Sequence, residues 1–99
     1  NEAILDYTSL IRLNPVSAQA YNNRGSAYGN LGKYEEAIKD YTSAIQYDPN
    51  FLSAYNNRAR AYSNIKKFQL ALEDALRAKQ SGFAVDQLFI DQLQNAIKK

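Results

Sequence analysis

Apolar residues recur along this chain at helical spacing in six stretches separated by short breaks. Residues 2–13 carry Ala3, Ile4, Tyr7, Leu10 and Ile11 on one side of an amphipathic helix. Asn14-Pro15 ends it, because the residue before a proline is pushed out of the α region. The pattern over 18–30 predicts a second helix, with Tyr21, Gly25 and Tyr28 on one face and Ala20 and Ala27 beside them. Gly32 supplies a left-handed C-cap, and a return helix follows over 34–47 with Ala37, Ile38, Tyr41, Ala44 and Ile45 as its stripe. Asp48-Pro49 then stops the chain as Asn14-Pro15 did.

The second half reads as a looser copy. A helix over 52–64 keeps Tyr55, Ala59 and Tyr62, but its turn is Lys66-Lys67 where the first copy has Gly32-Lys33. A lysine in a left-handed cap costs on the order of 1 kcal/mol relative to glycine. The helix over 68–80 uses Ala71, Leu72, Ala75 and Ala78, and Gly82 follows it. Asp86 is placed to cap a last helix of about 86–98, with Phe89, Ile90, Leu93 and Ile97 inward and Lys98-Lys99 at the negative C-terminal end.

These stretches share a register. Tyr21-Asn22-Asn23-Arg24 returns as Tyr55-Asn56-Asn57-Arg58, 34 positions on, and aligning 18–51 with 52–85 gives 13 identities. Laying 1–17 on 35–51 gives 9 more, including Asp6-Tyr7-Thr8-Ser9 on Asp40-Tyr41-Thr42-Ser43. A fixed period of this size marks a stacked repeat protein. The units are a half repeat at 1–17 holding only a second helix, full repeats at 18–51 and 52–83, and a capping helix within 84–99. A polar-backed terminal helix over the last repeat is what a solenoid needs for solubility.

Composition narrows the function more than the fold. Net charge is +2 from 12 basic and 10 acidic residues, and no basic stripe suited to a nucleic-acid backbone is visible. Histidine and cysteine are both absent, which removes the commonest general base and the thiolate ligands. Disulfides are thereby excluded, but no compartment is identified; the cytoplasm is the favoured expectation. No apolar run is long enough for a membrane span. No catalytic constellation, phosphate loop or metal spacing is present, so neither an enzyme nor a cofactor is expected. Asn1 stands where a full chain would have Met, so the reading is of a fragment whose upstream signals are out of sight.

The pattern resembles the tetratricopeptide repeat. Its signature of aromatic, small and proline positions falls on Tyr21, Gly25, Tyr28, Ala37, Tyr41, Ala44 and Pro49 in the first full copy. The second copy matches at Tyr55, Ala59, Tyr62, Ala71 and Ala78, and departs at Ala75 and Phe83. The half repeat supplies Ala3, Tyr7 and Pro15, with Leu10 in place of alanine. The resemblance covers about 1–83 and implies an all-α, right-handed solenoid of antiparallel helix pairs whose first helices line a concave, peptide-binding side.

Counting 100° per residue places two polar rows opposite the packing face: Gln19, Asn23, Ser26 and Asn30, then Ser53, Asn57, Arg60 and Asn64. Asn22 and Asn56 flank them. Such amides and hydroxyls both donate to and accept from the backbone of an extended peptide, so the expected partner is another protein or peptide. The plainer reading makes Asn23 and Asn57 consensus residues on a solvated face. Some family members grip a C-terminal carboxylate with asparagines of two successive repeats and a lysine and a second basic residue of the third. Asn23 fits one asparagine, but Ser53 and Asn57 stand where the two cations belong, so that clamp is not expected. Arg60 is the lone basic residue of the stripe. Arg24 and Arg58 read as structural, each guanidinium paired with a nearby carboxylate, and the eight tyrosines read as packing residues rather than base-stacking ones. The uncovered edge of helix 2–13 leaves a second expectation, a self-assembly unit in which that edge docks on another copy.

Overall fold

The computed structural model describes all 99 residues. It contains six helices and no strand: α1 Glu2–Leu13, α2 Ala18–Asn30, α3 Tyr34–Tyr47, α4 Leu52–Asn64, α5 Phe68–Gln80 and α6 Gln87–Lys98. Each helix packs on the next in the chain, and α2 also touches α4. The result is an elongated all-α solenoid of 44 × 26 × 17 Å. No helix is long and apolar enough to cross a membrane.

The turns explain the helix lengths. Gly32 and Gly82 adopt φ of +76° and +104°, and Lys66 takes the equivalent place at +63°. After each, the next N–H reaches back to close the helix end: Lys33 to the Tyr28 carbonyl at 2.9 Å, Lys67 to Tyr62 at 2.9 Å and Phe83 to Ala78 at 3.0 Å. Lysine therefore carries the left-handed strain expected of it. The N-termini of α2 and α6 are capped by Ser17, which accepts from the Ala20 N–H, and by Asp86, which accepts from Leu88.

Small residues set how closely the helices approach. Ala37, Ala44, Ala59, Ala71, Ala75 and Ala78 have no exposed surface at all. At Gly25 a Cβ would lie 2.8 and 2.9 Å from two carbons of the Tyr41 ring. Tyr41 needs that room, since its ring packs with Ala37 of its own helix and Ala61 of α4 and so bridges the two hairpins.

The second hairpin solves the same problem with the volumes exchanged. Ala59 has the Cβ that Gly25 lacks, and Ala75 stands where Tyr41 stood. Phe89, Ile90 and Leu93 of α6 fill the remaining space against Ala59, Ala71 and Ala75. Burying such side chains contributes about 1.5–3 kcal/mol each. The second repeat is thus closed by the cap rather than loosely packed.

Gly25→Ala is expected to destabilise the fold by about 1–3 kcal/mol, the cost of forcing a methyl into a packed contact. Urea unfolding followed by circular dichroism checks this. Ala59→Gly removes about 1 kcal/mol of helix propensity and a fully buried methyl, and should cost a comparable amount, about 1–2 kcal/mol.

Candidate functional site

Two half-buried arginine–aspartate forks hold the hairpins together on the side away from the inner hollow. Arg24 of α2 donates from Nε and Nη2 to both carboxylate oxygens of Asp40 on α3, each at 2.8 Å. Its Nη1 reaches Thr8 Oγ1 on α1 at 3.2 Å. Arg58 repeats the arrangement with Asp74 on α5, at 2.7 and 2.8 Å, and with Thr42 on α3 at 3.2 Å. Each guanidinium carbon also lies over two tyrosines, Tyr21 and Tyr28 at 5.9 Å for Arg24, and Tyr55 and Tyr62 at 5.6 and 5.7 Å for Arg58. The aspartate hydrogen bond holds both arginines above their ordinary pKa, against the opposing effect of burial. These arginines are structural, and the carboxylates they pair with are Asp40 and Asp74.

With the backs of α2 and α4 held in this way, their opposite faces open on a hollow of about 250 Å³. Ser26, Gly29 and Asn30 line it from α2, Tyr34 and Tyr41 from α3, and Asn57, Arg60, Ala61 and Asn64 from α4. Five of the ten residues picked out by helical counting meet here: Ser26, Asn30, Asn57, Arg60 and Asn64. The Tyr41 hydroxyl donates to Ser26 Oγ at 3.2 Å, which fixes the floor. Asn64 donates from Nδ2 to the Arg60 carbonyl at 2.9 Å, leaving its carbonyl oxygen for other partners.

The other five are placed differently. Gln19 and Asn23 bond to each other at 2.9 Å and do not line the hollow. Asn22 is a correction: it is buried rather than flanking, and its Oδ1 accepts from Asn57 Nδ2 at 3.2 Å, so it links α2 to α4. Asn56, its counterpart one repeat on, has a buried Oδ1 with no donor, because α6 does not continue the Tyr-Asn-Asn-Arg sequence. Ser53 is half-buried at the start of α4 and outside the hollow.

Counting along single helices missed the apolar floor, Tyr34, Tyr41 and Ala61, because the floor belongs to α3 and the inner flank of α4. It also left the arginine partners unnamed. One signal was available: Arg24–Asp40 and Arg58–Asp74 share the same separation of 16 residues in both copies.

A stack of paired helices with a polar inner hollow defines a helical-repeat interaction scaffold. Sequence models of the tetratricopeptide repeat match residues 18–51 and 41–73. The chain belongs to the tetratricopeptide repeat family. Similar solved structures include the TPR2B domain of yeast Sti1 in its pHsp70 complex, 34% identical, with a TM-score of 0.81 over 96% of this chain and 79% of that one. The second TPR domain of human RPAP3, in complex with the HSP70 peptide SGPTIEEVD, is 29% identical, with a TM-score of 0.85 over 92% of this chain and 78% of that one. The TPR domain of Arabidopsis OM64 is 27% identical and reaches a TM-score of 0.91 over 96% and 80%. No curated protein matches the chain in sequence.

Asp74→Asn leaves a buried guanidinium without its counter-ion and is expected to cost about 2–3 kcal/mol, with Asp40→Asn close behind. Equilibrium urea titration of each variant measures the loss. A second outcome concerns alkaline pH. Burial pushes the Tyr41 phenol above its ordinary value, more than the Ser26 hydrogen bond pulls it down, and the Asp40 charge adds to the rise. The folded state therefore favours the neutral phenol, and that contribution, complete below the unfolded value of 10.0, is lost as pH rises through the folded one. Tyr41→Phe should flatten the alkaline fall in unfolding free energy, read from denaturation at pH values from about 9 to 11.5.

Proposed function

We propose that this chain is a protein-interaction module that takes an extended segment of a partner along the hollow between α2 and α4. Ser26, Asn30, Asn57 and Asn64 hydrogen-bond the segment's backbone, while Tyr34, Tyr41 and Ala61 give its side chains an apolar floor. The observation that carries this reading is the convergence of polar side chains from two successive repeats on one open hollow. The peptide-bound yeast and human TPR domains support it at the level of the module. Ser53 and Asn57 offer no lysine-like pair for a terminal carboxylate, so an internal stretch of chain is as acceptable as an end.

A peptide array that includes SGPTIEEVD tests the proposal. Asn30→Ala/Asn64→Ala should weaken capture roughly tenfold, since each lost hydrogen bond is worth about 0.5–1.5 kcal/mol. Asn57 is a poorer probe because its side chain also ties α4 to Asn22. Unchanged capture by the double variant would remove the hollow from the binding surface.

One observation favours a second reading, a self-assembly unit. In α3 the residues aligned with Ala3 and Leu10 are Ala37 and Ala44, both fully buried, whereas α1 buries no residue and leaves Leu10 50% exposed and Leu13 84% exposed. A second copy docking on this face would give a concentration-dependent mass in sedimentation, abolished by Leu10→Gln and indifferent to the Asn30/Asn64 double variant.

A further inference from the structure

Three arginines lie on the first helices of the repeats, and they meet different fates. Arg24 and Arg58 are half-buried, each bonded to an aspartate. Arg60 is exposed, and it is the one charged residue lining the hollow. No side-chain hydrogen bond or ion pair holds it; its sole hydrogen bond is through its backbone carbonyl to Asn64. Its guanidinium nevertheless has a defined place. The central carbon sits 4.3 Å from the centroid of the Phe89 ring, well inside the 5.5–5.9 Å of the five other arginine–aromatic contacts in the molecule.

A cation over a ring face is attracted to it without using its N–H donors, and no side-chain donor of Arg60 has a partner. A guanidinium held over a ring with its donors free suits a planar acceptor with two oxygens, which a carboxylate provides. Phe89 is itself buried in the cluster that α6 forms with Ala59, Ala71 and Ala75, so the ring is fixed by the core. The cap is thereby coupled to the hollow: it closes the last repeat and also positions the only cation there.

We propose that Arg60, held over Phe89, is the specificity-determining anion contact of the hollow, so that the bound segment presents an acidic side chain toward α6. This rests on the groove reading above. The acceptor is assigned to an Asp or Glu side chain and not to a chain terminus, because Arg60 stands alone at an open rim with no second cation in the lining.

The test uses the full chain and fluorescence anisotropy with three labelled probes: SGPTIEEVD, the same peptide with both glutamates replaced by glutamine, and the same peptide with an amidated C-terminus. The wild type should prefer the glutamate form to the glutamine form by about tenfold, with amidation changing affinity little. Arg60→Gln should bring the glutamate and glutamine forms to equal affinity. Arg60→Lys, which retains charge but not the planar fork, should restore only part of the preference. Phe89→Leu should reduce the preference with Arg60 intact, and its helical circular dichroism signal confirms that the variant folds. An equal preference in wild type and Arg60→Gln, or a loss that tracks amidation instead, overturns the assignment. So does a wild type that captures uncharged peptides on the array but not SGPTIEEVD, an outcome that leaves the groove reading standing. Capture of no peptide at all removes both.

Discussion

A charged fork that spans three helices governs how this chain stacks. Arg24 takes both oxygens of Asp40 across its own hairpin and a threonine hydroxyl from the preceding helix; Arg58 does the same one repeat later. A bidentate pair tolerates little change in distance or angle, so satisfying it fixes both the hairpin and its neighbour. Desolvation makes a buried pair costly, and here flanking tyrosines and the threonine hydroxyls help to compensate the cation. The contribution is therefore to register as much as to stability. Two identical forks 34 residues apart impose one geometry on two successive units.

Volume exchange completes what the forks begin. Gly25 with Tyr41 and Ala59 with Ala75 are two solutions to one packing constraint, since the space between the helices of a hairpin is limited and either partner can fill it. In the first repeat the tyrosine reaches on to Ala61 of α4 and welds one hairpin to the next. The last repeat has no following hairpin, and its alanine leaves the gap that α6 enters with Phe89, Ile90 and Leu93. A residue that departs from the repeat pattern is thus where the terminal helix docks.

The site inherits its shape from these contacts. Because the forks sit on the back of α2 and α4, the opposite faces are free to carry amides with no part in the core. The link between Asn57 and Asn22 holds those two helices at a fixed separation and defines the width of the hollow. Asn56 marks where that ladder ends: its amide oxygen is buried with nothing to accept from. Arg58 and Arg60 are two residues apart on the same helix, yet one is half-buried and bonded to Asp74 while the other is exposed over an aromatic ring.

Much of this was legible in the chain because helices are local objects. Apolar spacing, two X-Pro breaks and a 34-residue period locate all six helices, and five of them keep the same boundaries in the structure. The small residues Gly25, Ala37, Ala44, Ala71 and Ala78 stand at fixed places of the repeat, and the structure buries all five. Which side chains share a hollow is a different matter, since it depends on the rotation of one hairpin relative to the next. Counting within a helix put Asn22 beside the polar row, and only packing of α4 against α2 buried it. The sequence by itself determined the repeat, the helices and the residues that had to be small. The tertiary structure decided which carboxylate each buried arginine takes, how Phe89 comes to lie under Arg60 and which amides face a common space, because those outcomes depend on contacts between segments 16 to 35 positions apart that no local periodicity encodes.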